Sequence, residues 1–198
     1  MKNLILIGSL MIGLVGCVQA PIDLPNNVKT VSMGLSGKQT QIDTVDGSFA
    51  VSDEVPFNKI SLCAVDVFQN NGVTLSDNAN SFFGAYTGNY YQKNNSQQVA
   101  SGERLKYSDE KTKTLVVHGN VETKPSLVIN IIQYDAKIQA TPNQVKLTYQ
   151  NILRAQKNTG ILANDGFSPV GTWAGAKAPT VIDLLNKLSA KYKSCIEP

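Results

Sequence analysis

The stretch from Ser126 to Leu153, SLVINIIQYDAKIQATPNQVKLTYQNIL, restricts the fold more than any other part of this chain. From Ile132 onward, Ile132, Tyr134, Ala136, Ile138 and Ala140 alternate with Gln133, Asp135, Lys137 and Gln139. A repeat of two residues is the period of a strand with one buried and one wet face. After TPNQ the alternation resumes through Val145, Leu147, Tyr149, Asn151 and Leu153. Two such runs around Pro142 predict a long antiparallel hairpin. Its apolar face has to be covered by something else in the chain.

Two helical stripes supply the cover. In VPFNKISLCAVDVFQ, the residues Phe57, Ile60, Cys63, Ala64 and Val67 recur at helical spacing. In APTVIDLLNKLSAKYKSCIEP, Val181, Leu185, Leu188, Tyr192 and Cys195 do the same. Thr180 with Asp183 three residues on reads as the start of this second helix, and Lys187, Lys191 and Lys193 suit its negative C-terminal end. Shorter strands are expected at 28–35 and 41–51, broken at SGK and at the hairpin signal Asp46-Gly47, then at GVTLSD, 103–107 and 114–118, the last two flanking SDEKTK. Helix, strands, long hairpin and helix make an α+β order, with an antiparallel sheet and both helices on one face. The expected organisation is a single domain over 28–198 with a long loop at about 154–179. Cys63 and Cys195 both face the core. If the helices lie side by side the thiols meet in a disulfide, which is the expectation; otherwise they are buried free thiols.

The first residues carry an address. Leu4 to Val15 is too short for a membrane span, which needs ~20 apolar residues, and it is interrupted by Gly8, Ser9 and Gly13. A single Lys2, an apolar run and small residues before a cysteine have the order of a secretory signal. Leu14 to Cys17, LVGC, resembles the lipobox of bacterial lipoproteins. The resemblance implies that residues 1–16 are removed, that Cys17 is acylated on its thiol and its new amine, and that the chain is held at a membrane without crossing it. Val18, where an aspartate would favour the inner membrane, implies the outer membrane, with the domain facing the periplasm. VQAPIDLPNN, completing a lipidated N-terminus at 17–27, reads as an extended tether. Over about 53–196 the element order also resembles secreted bacterial proteins with a TBP-like α+β domain. The segment Arg154 to Pro179 departs from that pattern as an insertion, and the group brings no activity with it.

Composition and motifs exclude more chemistry than they offer. The formal charge of +3 gives no basic field for nucleic acid. His118 is the single histidine, so two-histidine metal motifs are excluded, and its place at the end of TLVVHGN reads as a strand-end residue rather than a catalytic base. GLSG lacks nucleophile-elbow spacing, and SDEK, Ser108 to Lys111, matches S-x-x-K by letters alone. Asp43 and Asp46 read as turn residues, and neither cysteine sits in a redox motif. No catalytic residue, metal ligand or cofactor is assigned. Two stretches read as binding candidates. SFFGAYTGNYYQ offers Tyr86, Tyr90 and Tyr91 beside Phe82 and Phe83; the competing and preferred reading puts Phe82, Phe83 and Tyr86 in the core. The segment around Trp173 offers either an exposed anchor or a pin for its loop. The expected function is therefore an envelope binding module whose partner is another envelope protein or a glycan. The alternatives are a hydrolase with a scattered site and a small-ligand carrier.

Overall fold

The computed structural model describes residues 22–34, 39–51, 54–123 and 127–197. The signal segment, Cys17, Val18 and the SGK break lie outside them. The chain opens with the strands β1 (Val28–Met33) and β2 (Gln39–Ala50), followed by the helix α1 (Phe57–Val67). An excursion follows: β3 (Val73–Asp77), β4 (Phe82–Phe83), β5 (Tyr90–Tyr91) and β6 (Asn95–Val99). Then come β7 (Leu105–Asp109), β8 (Thr114–Glu122), β9 (Asn130–Thr141), β10 (Gln144–Gln156), β11 (Ser168–Pro169) and α2 (Ala178–Ile196).

The architecture is mixed α+β, built on an antiparallel sheet in the order β1-β2-β10-β9-β8-β7, with β11 beside β10 and α2 packed on the sheet. The β9–β10 hairpin lies at its centre, and Pro142 and Asn143 form its turn between the paired Thr141 and Gln144. Ile132, Tyr134, Ala136, Ile138, Val145, Leu147 and Tyr149 form the floor of the main core, joined by Ile60, Cys63, Ala64 and Val67 of α1 and by Val181, Ile182, Leu185 and Tyr192 of α2. Cys63 and Cys195 form a disulfide between the helices. Among the described residues no helix is long and apolar enough to cross a membrane.

Four local expectations are corrected. Asp46-Gly47 is no turn: β2 runs straight through it, with Asp46 paired to Thr148 and Gly47 to Leu147 of β10. A Cβ at Gly47 would lie 3.2 Å from Ser189 Oγ of α2, so the glycine serves close helix approach. The helix α2 starts before Thr180, at Ala178, with Lys177 as its cap in the left-handed region (φ 69°) and no side-chain capping bond; Pro179 suits the first turn because its missing N–H has no helical partner there. The alternation in β10 breaks at Asn151, where a bulge sets two residues opposite Tyr134. Asn151 has φ 52°, a conformation asparagine tolerates better than most residues, and the shift gives the core position to the buried Ile152. The segment from Ile22 to Asn27, expected as tether, runs along the domain: Ile22 and Leu24 pack on the core, and the Asn27 amide donates to Asp46 O at 2.8 Å.

Aromatic rings fill the space between helices and sheet. Phe68 packs edge-on against Tyr134 and Tyr149 and is tilted against Tyr192, with centroids 6.3, 6.2 and 5.3 Å apart. Tyr192 Oη donates to Ile60 O at 3.0 Å, whereas Tyr134 Oη is buried without a partner among the described residues. Gly119 on β8 makes room for it, since a Cβ there would lie 2.8 Å from that oxygen. Tyr134→Phe removes an unsatisfied group and should leave stability unchanged or raise it by up to about 1 kcal/mol, while Tyr192→Phe should cost about 1 kcal/mol. Urea midpoints of the two variants check this; Tyr134→Phe falling below wild type would contradict it.

Candidate functional site

The sheet's reverse face carries a second, smaller core. Val73 and Leu75 of β3 meet Ile131 and Ala155, with Val99 and Phe167 at the margin. Farther along, the face that alternation marks as wet holds a closed polar network. Asp135, 3% exposed, lies directly across from His118 of β8. Its Oδ1 is 2.7 Å from His118 Nδ1 and accepts from Lys106 Nζ at 2.7 Å; its Oδ2 accepts from Lys106 at 2.9 Å and from Asn151 Nδ2 at 2.7 Å. The bulge thus turns Asn151 away from the core and onto this carboxylate. Burial pushes the Asp135 carboxyl up, but hydrogen bonds from Lys106, Asn151 and His118, with the lysine charge, outweigh burial and hold it below the usual carboxylate value.

His118 is therefore not a strand-end residue but sits inside β8. A histidine beside a buried carboxylate has the first two parts of an acid–base relay. The third part is filled, because Gln133 Nε2 lies 3.0 Å from His118 Nε2 and occupies the nitrogen that a substrate would need. Each ring nitrogen has a partner from the protein, and the network as a whole orders four strands, β7 to β10, rather than offering a base.

The long loop expected at 154–179 is shorter and better anchored than its composition implies. β10 continues to Gln156, and β11 pairs with Leu153 and Arg154. Between them Asn164 ties the loop down: its backbone N–H donates to Asp77 Oδ2 at 3.0 Å, and its amide donates to Ser76 O and Gln156 O at 3.2 and 2.8 Å. Asp77 also takes the Asn95 amide at 2.6 Å and the Ala79 N–H at 3.0 Å. Neither Asp77 nor Asn164 belongs to a recognisable motif, and only the three-dimensional meeting of β3 with the end of β10 reveals their role. Trp173 lies half-buried on Gly171, where a Cβ would come within 2.1 Å of the ring. Its neighbour Thr172 donates its N–H to Thr40 O at 2.9 Å. Backbone bonds of Val170 and Thr172 fasten this loop to the start of β2, and the indole covers Gly171 beside them.

The tyrosines have a different setting. Phe82, Phe83 and Tyr86, read above as core, are exposed, and Tyr90 and Tyr91 are exposed with them. Beyond Asp77 the chain leaves the two-stranded ribbon of β3 and β6, and β4 and β5 form a further two-stranded hairpin that the helices do not cover. Phe82 pairs across it with Tyr91 and Phe83 with Tyr90, with ring centroids 5.2 and 5.0 Å apart. Successive strand residues face opposite ways, so each face of the hairpin carries one aromatic pair. Tyr86 stands at the tip, 104% exposed. The turn is set by Gly88 in the left-handed region (φ 64°), whose N–H donates to Gly84 O at 2.9 Å, and Tyr91 Oη donates to Thr87 Oγ1 at 3.1 Å. The hairpin gathers Tyr86, Tyr90 and Tyr91 in one place, while Trp173 belongs to the separate contact on Gly171.

Lys93 is the single charged residue between Asp77 and Glu103, and the remainder of that stretch is aromatic, amide, hydroxyl or small. Such a surface offers apolar area and neutral hydrogen bonding, without the charges that steer an ionic ligand. No protein-family model matches this chain, and comparison with curated proteins finds no match.

Proposed function

We propose that this protein is a bacterial envelope lipoprotein, acylated at Cys17 and held at the outer membrane with its domain facing the periplasm, and that it works as a binding module through the β4–β5 hairpin. The observation that carries the binding role is the exposure of five neighbouring rings, Phe82, Phe83, Tyr86, Tyr90 and Tyr91, on a hairpin outside both cores. Exposed apolar patches of this kind mark contact surfaces. The hydrolase alternative loses its best candidate because His118 is enclosed by Asp135 and Gln133. The carrier alternative meets an interior between sheet and helices filled by Phe68, Tyr134, Tyr149 and Tyr192.

Two measurements test this reading. In cells the chain should incorporate labelled palmitate and fractionate with the outer membrane, and Cys17→Ala should lose both properties; unchanged labelling or fractionation would refute the anchor. A photo-crosslinking side chain at Tyr86 should capture an envelope component, whereas the same group at Leu62, exposed on α1, should not. Equal capture at both positions would remove the hairpin from the binding role.

A further inference from the structure

We infer that the occupant of the hairpin surface is lipid: the β4–β5 hairpin and the adjacent Ile161–Leu162 turn dip into the interfacial zone of the membrane that carries the Cys17 anchor. The inference rests on the lipoprotein reading above for its orientation, and on the surface itself for its chemistry.

The first support is the shape of the apolar surface. An aromatic pair on each face and a fully exposed tyrosine at the tip make a blade, so a flat partner resting on one side would leave the other side wet. A medium that surrounds the blade covers both faces. Beside it, Ile161 and Leu162 are 79% and 70% exposed. Their loop is joined to the root of the hairpin by Asn78 N–H donating to Gly160 O at 2.6 Å and Thr159 N–H donating to Ser76 O at 3.2 Å. Two neighbouring turns therefore present apolar side chains that the described residues leave uncovered.

Charge gives the second support. Lys93 is the single charge in residues 78–102, and residues 158–164, NTGILAN, have none. Neither turn must desolvate a carboxylate on insertion, and a lysine can keep its ammonium at the headgroups. Tyrosine rings suit the headgroup boundary, where one end is apolar and the other meets water.

Direction is the third. Ser76 N–H donates to Lys157 O at 2.9 Å just beyond the end of β10, so β3 passes that end of the sheet and the hairpin continues outward from it. β2 is antiparallel to β10, which places its start at the same end. There Thr172 N–H donates to Thr40 O at 2.9 Å and Ile22 N–H donates to Thr172 O at 3.2 Å. The described chain therefore begins at the end from which the hairpin projects. Cys17 is five residues before Ile22, a span of at most about 18 Å when fully extended. An anchor on so short a lead holds that end of the domain toward the bilayer. Two weak attachments to one surface reinforce one another by effective concentration.

The test uses the mature chain with Cys17→Ala, which cannot be acylated, and vesicles of phosphatidylethanolamine and phosphatidylglycerol. The protein should pellet with the vesicles, and Phe83→Ser with Leu162→Ser should lower its partition coefficient by about tenfold or more. Leu62→Ser, at an exposed position on α1, should leave it unchanged, and circular dichroism should show all variants folded. Absence of pelleting at any lipid concentration, or pelleting indifferent to the Phe83 and Leu162 changes, would overturn the inference. Hairpin-dependent binding of a soluble polysaccharide or peptide without vesicle binding would overturn it too, by assigning the surface to that ligand. Because the chain tested has no lipid, failure here is separate from failure of the palmitate experiment.

Discussion

Replacing Cys63 and Cys195 together by alanine is expected to cost about 3–5 kcal/mol of stability, near the upper end of what one disulfide contributes. The bridge joins α1 to α2 across a sequence separation of 132, and β3 through β11 lie inside the loop it closes. In the chain-entropy account the stabilisation rises with the logarithm of loop length, so a closure of this size restricts the unfolded chain severely. The folded contacts it reinforces are modest in number of polar bonds: Tyr192 Oη on Ile60 O joins the same two helices, and Ser189 Oγ meets Tyr149 Oη at 3.0 Å beneath α2. Urea unfolding of wild type with and without reductant, beside the double variant, measures the effect. Reduced wild type and the double variant should unfold at similar, much lower midpoints than oxidised wild type. Coincident curves for oxidised and reduced protein would show that helix packing alone holds α1 against α2. Under the localisation proposed above, an oxidising compartment would be a condition of full stability.

The central hairpin was legible because every second side chain of β9 goes to one core, and that repeat survives in sequence without knowledge of any partner. The helical stripes were legible for the same reason. What escaped was contact between distant residues. Asp135 occupies an alternating polar position indistinguishable from Gln139, yet one is buried and the other exposed, because Lys106 and Asn151 arrive from elsewhere in the chain. Asn151 itself reads as the next member of the β10 stripe until the bulge reverses its direction. Asp46-Gly47 has the letters of a turn, but cross-strand pairing with β10 and the approach of Ser189 use the same residues to continue a strand. The aromatic stretch failed differently. Phenylalanine and tyrosine default to the core on composition, and only the separation of β4–β5 from the main sheet leaves them outside it.

Asp135→Ala should cost about 3 kcal/mol at neutral pH, since it removes the common acceptor of three donors in a largely buried setting. His118 Nδ1 and the Asn151 amide lose this acceptor, while Lys106, about half exposed, can turn to water. Asp135→Asn should cost less, because its remaining carbonyl still accepts one of the bonds, but an amide N–H directed at Lys106 or Asn151 keeps it below wild type. The folded carboxyl is held below its ordinary 3.8, so its contribution is complete above that value and is lost as pH falls through the lower folded value. Wild type should therefore lose stability as pH falls below 3.8, and Asp135→Ala should lose less over the same fall. Urea midpoints at pH 7 and in that acid range measure both effects. A variant as stable as wild type at pH 7 would show that the network orders nothing, and would reopen the question of what a histidine, a carboxylate and a lysine do together there. A stability loss confined to neutral pH, with vesicle and crosslinking behaviour retained, would instead separate two parts of the molecule: a polar network that ties β7, β8, β9 and β10 together, and a hairpin that the network does not involve.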